Sequence, residues 1–177
     1  MRKTYVMPLL VLTLICLVVS SALAYMNSIT EPIVSAAAAE RAEAAMYVKM
    51  PDAEGFEHIQ PDYIEGLPPS IIDIYRATNG IGYIFIAAVN GFSGDITIIC
   101  AVGNDGNIIA TSTLSHTETK GIGTIIEQES FLSTFKGIDD SLDGVDTIAG
   151  ATISTRAYIH AVGDILKAFH LVNSQIN

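Results

Sequence analysis

The stretch 82–116, GYIFIAAVNGFSGDITIICAVGNDGNIIATSTLSH, contains three apolar segments of strand length separated by turn residues. The first is the short run 82–89. In the second, 94–102, apolar and more polar residues alternate, with only Ile99 breaking the contrast. One face of that segment holds Ile96, Ile98, Cys100 and Val102. An Asp-Gly pair then signals a hairpin, and 108–116 returns as the partner strand, so the stretch predicts an antiparallel meander.

Helical patterns follow this meander. The sequence GIGTIIEQESFLSTF predicts a short helix around 125–135, and a stronger helix begins after DTIAGATIST. Its apolar residues, spaced at four, three, four and three, form one stripe: Tyr158, Val162, Ile165, Phe169 and Val172. The pattern predicts an α+β fold in which helices pack on an antiparallel sheet.

The N-terminal segment is apolar for long enough to span a membrane. Residues 4–25 contain no charge, and about 20 apolar residues cross a hydrocarbon layer of about 30 Å as a helix. Arg2 and Lys3 predict a cytoplasmic N-terminus and place the rest outside the cell (inner) membrane, in a single pass. The sequence SALA at 21–24 offers a cleavage site, so a cleavable signal peptide is an alternative. The apolar run is longer than the roughly 7–15 residues usual for the apolar region of a signal peptide, which favours a retained anchor.

Three regions are expected along the chain: an anchor (1–25), a helical stalk and connection (26–70), and the domain with the sheet (71–177). The stalk predicts a helix continuing out of the membrane, with Thr30 as a plausible N-cap before a glutamate and a proline. Residues 51–70 carry four prolines and predict an irregular connection, so that the core begins near residue 71.

Composition excludes several classes of function. All 19 acidic residues lie after the apolar segment, but only seven of the nine basic residues do. The exported part therefore carries a net charge of −12. A nucleic-acid partner is therefore not expected, because phosphate binding needs a basic face. Cys16 and Cys100 provide no disulfide framework, and the spacing of the four histidines predicts no metal site.

Three hydroxyl side chains begin the last helix, in DTIAGATISTRA (146–157): Thr152, Ser154 and Thr155. Threonine and serine are good N-caps, and on local grounds a cap is the simpler role for any one of them. A cap needs only one hydroxyl, however. Unpaired N–H groups and the positive end of the helix dipole also make such a terminus suited to a phosphate.

The same stretch resembles a known motif. DTIAGAT is similar to the Asp-x-x-Ser/Thr-Gly-Ala-Thr motif of the FMN-binding domain that the G subunit of the Rnf electron-transport complex shares with the C subunit of the sodium-pumping NADH:quinone reductase. The resemblance implies that FMN is attached to Thr152 through a phosphoester, and that Asp146 is recognised by a separate flavin transferase. Ala149 departs from the motif, where serine or threonine is usual. Gly150 and Ala151 of the motif are also expected to bind FMN, and Ser154 and Thr155 are expected to cap the helix and to hydrogen-bond the same phosphate.

A second stretch extends the resemblance to roughly residues 70–172 and the membrane segment. HTETKGIG (116–123) resembles the family's Glu-Thr-Pro-Gly-Leu/Ile-Gly loop, which borders the isoalloxazine ring, and GFSGDITIICAVGNDGNI (91–108) resembles its Gly-Phe/Tyr-x-Gly strand and hairpin. The matching FMN-binding positions are Glu118, Thr119, Gly121, Ile122 and Gly123. The two glycines are expected to let backbone N–H groups approach the ring. Lys120 replaces the usual proline; it is either a solvated side chain or a charge that raises the reduction potential.

The resemblance implies a function in electron transfer. The chain is expected to be a membrane-anchored subunit whose covalent FMN relays electrons within an Rnf-type ion-translocating ferredoxin:NAD oxidoreductase complex. Its expected partners are the other subunits, a flavin transferase and membrane lipid, and catalysis would belong to the other subunits. Two alternatives stay open: a stand-alone membrane-anchored flavoprotein that serves an extracytoplasmic reductase, and a non-redox exported binding module in which Thr152 only caps a helix.

Overall fold

A computed structural model describes residues 2–139 and 141–176. The chain divides into two compact units, with the boundary in the sequence between Arg41 and Ala42. The first helix, α1, runs from Arg2 to Lys49. Its most apolar part has a mean hydropathy of 2.6, and its large apolar side chains from Val6 to Val34 are exposed. Within the described ranges it is the one helix long and apolar enough to cross a membrane.

The predicted N-cap at Thr30 is wrong. Thr30 lies inside the continuous helix α1, and its hydroxyl donates a hydrogen bond to the Met26 carbonyl at 2.9 Å. Because the residues before it are already helical, a carbonyl one turn earlier is available to the hydroxyl. Pro32 also lies within this helix and does not begin a new one.

Five strands form one antiparallel sheet in the order β1-β2-β3-β4-β5. Their bounds are Phe56–Ile59 (β1), Ile71–Ala77 (β2), Gly82–Asn90 (β3), Asp95–Gly103 (β4) and Ile108–His116 (β5). The meander predicted over 82–116 is confirmed, since β3 pairs with β4 and β4 with β5.

The irregular connection predicted for 51–70 is wrong in part. Strand β1 lies within it and pairs with β2, with Phe56 opposite Ala77 and Ile59 opposite Ile74. A 3₁₀ turn, Pro61–Tyr63, follows. The strand has only four residues, and none of them is fully buried. Such a short segment shows no alternation, and only its pairing with a later strand makes it regular.

Short helical elements and one long helix cover one face of the sheet. After β5 come a 3₁₀ turn, Gly123–Glu127, the short helix α2, Glu129–Leu132, and a second turn, Ser133–Phe135. Helix α3 spans Thr152–Ile176. All five residues of its predicted stripe are buried in the main core, which confirms the helix and the α+β class.

The opposite face of the sheet is also covered. Met46 and Met50, in and just after the last turns of α1 in the second unit, are almost fully buried against this face. The sheet residues packed there include Ile84, Ile99 and Ala101. The break in alternation at Ile99 therefore has a physical cause, because both faces of β4 are buried.

Candidate functional site

A cavity of about 360 Å³ lies where the turn after β3, the loop after β5 and the start of α3 meet. Its walls are formed by Phe92, Glu118, Thr119, Ile122, Gly123, Gly150, Ala151, Thr152, Ile153 and Ser154. Phe92, Ile122 and Ile153 remain 68%, 56% and 54% exposed. Apolar side chains thus surround the cavity without being covered by the rest of the domain, as expected where a flat apolar ligand binds.

Most of the predicted FMN-binding residues meet in these walls. They are Glu118, Thr119, Ile122, Gly123, Gly150, Ala151, Thr152 and Ser154. Gly121 and Thr155 do not line the cavity. Gly121 directly precedes Ile122, which does, and Thr155 follows Ser154 and donates a hydrogen bond to the carbonyl of Ala151, both of which line it. Asp146 and Ala149 lie on the exposed loop before α3. The assignment of individual residues to FMN stays a prediction.

The three hydroxyls at the start of α3 have different surroundings. Thr155 is fully buried; its hydroxyl donates to the Ala151 carbonyl at 2.9 Å and accepts from the Ile148 N–H at 3.2 Å. Ser154 is also buried and donates to the Glu118 carboxylate at 2.5 Å. Thr152 is half-buried, lines the cavity, and has its nearest acceptor, the Ile148 carbonyl, at 3.5 Å. It is the hydroxyl least engaged by the protein.

Glu118 joins the three segments that enclose the cavity. One carboxylate oxygen, Oε1, accepts the N–H groups of Phe92 at 2.7 Å and Ser93 at 3.0 Å, and the other, Oε2, accepts the Ser154 hydroxyl. The side chain is only 6% exposed. A Cβ on Gly91 would meet Oε1, and one on Gly123 would lie 2.5 Å from Oε2. Both positions therefore need glycine because of this carboxylate.

Two opposing effects act on the pKa of Glu118. Burial raises it, while the hydrogen bonds from Ser154, Ser93 and Phe92 lower it by more, so that the pKa lies below its ordinary value. The Nδ1 atom of His116 accepts the Glu118 N–H at 3.0 Å, and Nε2 lies 3.0 Å from the Glu127 carboxylate. This arrangement fits a neutral imidazole with its proton on Nε2.

The N–H groups of the two loop glycines are both engaged within the loop, and the expected approach of backbone N–H groups to the flavin stays a prediction. The Gly121 N–H donates to the Thr124 hydroxyl at 3.0 Å, and the Gly123 N–H donates to the Thr119 carbonyl at 2.9 Å. The turn that closes the loop uses both donors. Gly121 has a φ of +82°, which explains the glycine by backbone conformation.

Phe92 and Ile153 belong to the cavity but are absent from the predicted site residues. Phe92 lies in the GFSG segment, which resembles the family's Gly-Phe/Tyr-x-Gly strand, so this motif could have identified it. Ile153 lies outside the buried stripe of α3, and its exposure becomes evident only when the helix is packed on the sheet.

The size and surroundings of the cavity are compatible with FMN. Its volume lies within the range of about 300–1,000 Å³ that is typical of ligand sites, and its exposed rim is apolar. The first N–H groups of α3 have no carbonyl earlier in the helix to bond, which suits a phosphate beside Thr152. Among the described residues, no group of three or more His, Cys, Asp or Glu side chains could hold a metal ion.

Residues 91–167 match the FMN-binding domain family, and this range includes every wall of the cavity. The chain therefore carries an FMN-binding domain, as DTIAGAT and HTETKGIG predicted.

Known relatives of the chain are components of redox complexes. It is 27% identical over 171 residues to the G subunit of the proton-translocating ferredoxin:NAD(+) oxidoreductase complex of Clostridium ljungdahlii, across 88% of this chain and 86% of that protein. It is 28% identical to the G subunit of the ion-translocating oxidoreductase complex of Methanosarcina acetivorans, across 70% and 72% of the two chains. For the corresponding protein of Shewanella piezotolerans the identity is 37%, across half of each chain.

Proposed function

We propose that this protein is a membrane-anchored subunit that carries FMN, bound covalently through Thr152, and relays electrons within an ion-translocating ferredoxin:NAD oxidoreductase complex. The FMN-binding domain and the names of the relatives support the electron-carrying role. The covalent bond, the partners and the orientation in the membrane are the further parts of the proposal.

One observation supports Thr152 as the attachment point. Of the three hydroxyls at the start of α3, those of Ser154 and Thr155 are buried and engaged at 2.5 and 2.9 Å, whereas that of Thr152 lines the cavity with no acceptor closer than 3.5 Å. A transferase has to reach the hydroxyl that it modifies. Accessibility therefore supports Thr152 as the attachment point in this proposal.

Different residues of the site would contact different parts of the cofactor. The N-terminus of α3 would hold the phosphoryl group, and Phe92, Ile122 and Ile153 would contact the flat ring. When bound, FMN supplies one- or two-electron transfer. The protein's own contribution is attachment, orientation and the electrostatic surroundings of the ring.

Helix α1 would anchor the protein, with the basic N-terminus in the cytoplasm and the FMN-binding domain outside. Its partners would be the other subunits of the complex, membrane lipid, and the flavin transferase, which would recognise the exposed Asp146. Co-purification from native membranes tests the complex. Recovery of the flavinylated chain without other redox subunits would favour the stand-alone carrier.

Co-expression with a flavin transferase, followed by denaturing gel electrophoresis, tests the covalent bond. We expect a fluorescent band for the wild type and none for Thr152→Val, which keeps the shape of the side chain and removes the hydroxyl. Thr152→Ser should restore fluorescence, and Ser154→Ala should keep it. A wild type that stays colourless under these conditions would contradict the proposal and leave Thr152 as a helix residue of a non-redox module.

A further inference from the structure

Glu118 places a carboxylate at the floor of the proposed flavin cavity. It lines the cavity and is 6% exposed, and its carboxylate accepts hydrogen bonds from the N–H groups of Phe92 and Ser93 and from the hydroxyl of Ser154. Because three donors fix its two oxygens, the carboxylate cannot turn away when a ligand enters. Its position relative to the cavity is set by the fold.

The charge of this carboxylate is not cancelled by a cation. Its three donors are dipoles, and the His116 ring accepts the Glu118 N–H at Nδ1, which requires that nitrogen to be unprotonated. No lysine or arginine within the described ranges forms an ion pair with Glu118. The negative charge is stabilised by hydrogen bonds while its field still reaches the cavity.

We propose that Glu118 sets the reduction potential of the bound flavin by holding a fixed negative charge beside the ring. This inference rests on the proposed function. Uptake of two electrons and one proton would give the ring one additional negative charge, and a neighbouring buried carboxylate disfavours that charge by Coulomb repulsion. Glu118 therefore makes the flavin harder to reduce, and its role is electrostatic as well as structural.

A neutral side chain of the same shape separates these two roles. In Glu118→Gln the amide oxygen can accept the N–H groups of Phe92 and Ser93, and the amide nitrogen can donate to Ser154. The link between the segments is preserved, with the Ser154 hydroxyl now accepting, and the negative charge is lost. The matched control is Glu129→Gln, which removes the same charge from an exposed residue outside the cavity walls.

The test is a dithionite titration of the flavinylated full-length protein in detergent, followed by visible absorbance. We expect the midpoint potential of Glu118→Gln to shift upward from the wild type, and that of Glu129→Gln to stay at the wild-type value. Equal potentials in the wild type and Glu118→Gln would overturn this inference and leave the proposed function intact. A wild type without flavin would overturn both.

A second variant keeps the inference testable if Glu118→Gln fails to fold or to load flavin. Ser154→Ala removes one donor from the carboxylate and leaves its charge less compensated. The midpoint potential should then shift downward, in the direction opposite to that of Glu118→Gln. A Ser154→Ala protein with an unchanged potential would overturn the inference.

Discussion

The Ser154 hydroxyl donates a hydrogen bond of 2.5 Å to the Glu118 carboxylate, and this contact joins the loop after β5 to the first turn of α3. The two residues lie 36 positions apart in the chain. The contact leaves Thr152 as the accessible hydroxyl of that turn. It also explains why glycine follows at position 123, since a side chain there would collide with the carboxylate.

Gly123→Ala should destabilise the domain by about 1–3 kcal/mol, because its Cβ would lie 2.6 Å from the Cβ of Glu118. Gly163→Ala, in the middle of α3, is the matched control. Its Cβ would make an ordinary contact with Leu142 at 3.4 Å, and alanine should stabilise the helix by about 0.5–1 kcal/mol. Urea denaturation of the two variants measures both effects. Equal stability of the two would contradict the collision.

Cys100 should be unreactive in the folded protein. Burial in the main core raises the pKa of its thiol to about 12, and the hydrogen bond with Thr111 opposes this only in part. At pH 8 almost no thiolate is then present or accessible. In a Cys16→Ser variant, maleimide should label Cys100 only after denaturation. Rapid labelling of the native protein would show that β4 is not packed as described.

Met50→Ala should lower the free energy of unfolding by about 2–5 kcal/mol, since Met50 is 1% exposed and packs on the second face of the sheet. Val48→Ala is the control, because Val48 is 72% exposed and should change stability little. Denaturant titration of a fragment beginning at Ala42 compares the two. If neither substitution changes the free energy of unfolding, the end of α1 does not belong to the core.

Asp164 should stabilise the domain at neutral pH and lose this effect in acid. Burial raises the pKa of Asp164. Hydrogen bonds from Ser70 at 2.7 Å and Lys167 at 3.1 Å, together with the charges of His160 and Lys167, lower it by a larger amount. The pKa of Asp164 therefore lies below its ordinary value. The unfolded chain therefore binds the proton at higher pH than the folded one, and stability rises with pH across this interval. Asp164→Asn should cost about 1–3 kcal/mol at neutral pH.

The measurement is the free energy of unfolding of wild type and Asp164→Asn as a function of pH. The difference between them should narrow as the pH falls below about 3.9, the ordinary pKa of aspartate. Asp62→Asn, an exposed substitution, serves as control. A difference that stays constant into acid would show that the charge of Asp164 has no part in stability.

Lys120→Pro should lower the midpoint potential of the flavinylated protein if the lysine charge acts on the ring. Lys120 is exposed on the loop that contains Glu118, and a cation favours the charge that the reduced flavin carries. The expected shift is opposite to that of Glu118→Gln. An unchanged potential would identify Lys120 as a solvated side chain.

Local patterns in the sequence were sufficient to predict most of the fold. The alternation in β4 and the 3.6-residue period of α3 are properties of neighbouring residues, and both elements form where they were predicted. Strand β1 could not be predicted in this way, because it is short, half-exposed and held by its pairing with β2. The core role of Met46 and Met50 also depends on packing against a sheet that lies later in the chain.

The sequence by itself determined the apolar first helix, the meander, the final helix and the motif that places Thr152 at its start. Only the tertiary structure decided the roles within the site. In the folded domain the Glu118 carboxylate accepts hydrogen bonds from Phe92 and Ser154, and the N–H groups of the loop glycines bond within a turn. Of the three hydroxyls at the start of α3, only that of Thr152 stays accessible. The physical reason is distance along the chain: periodicity is local, whereas a hydrogen bond between residues 36 positions apart exists only once the segments have packed.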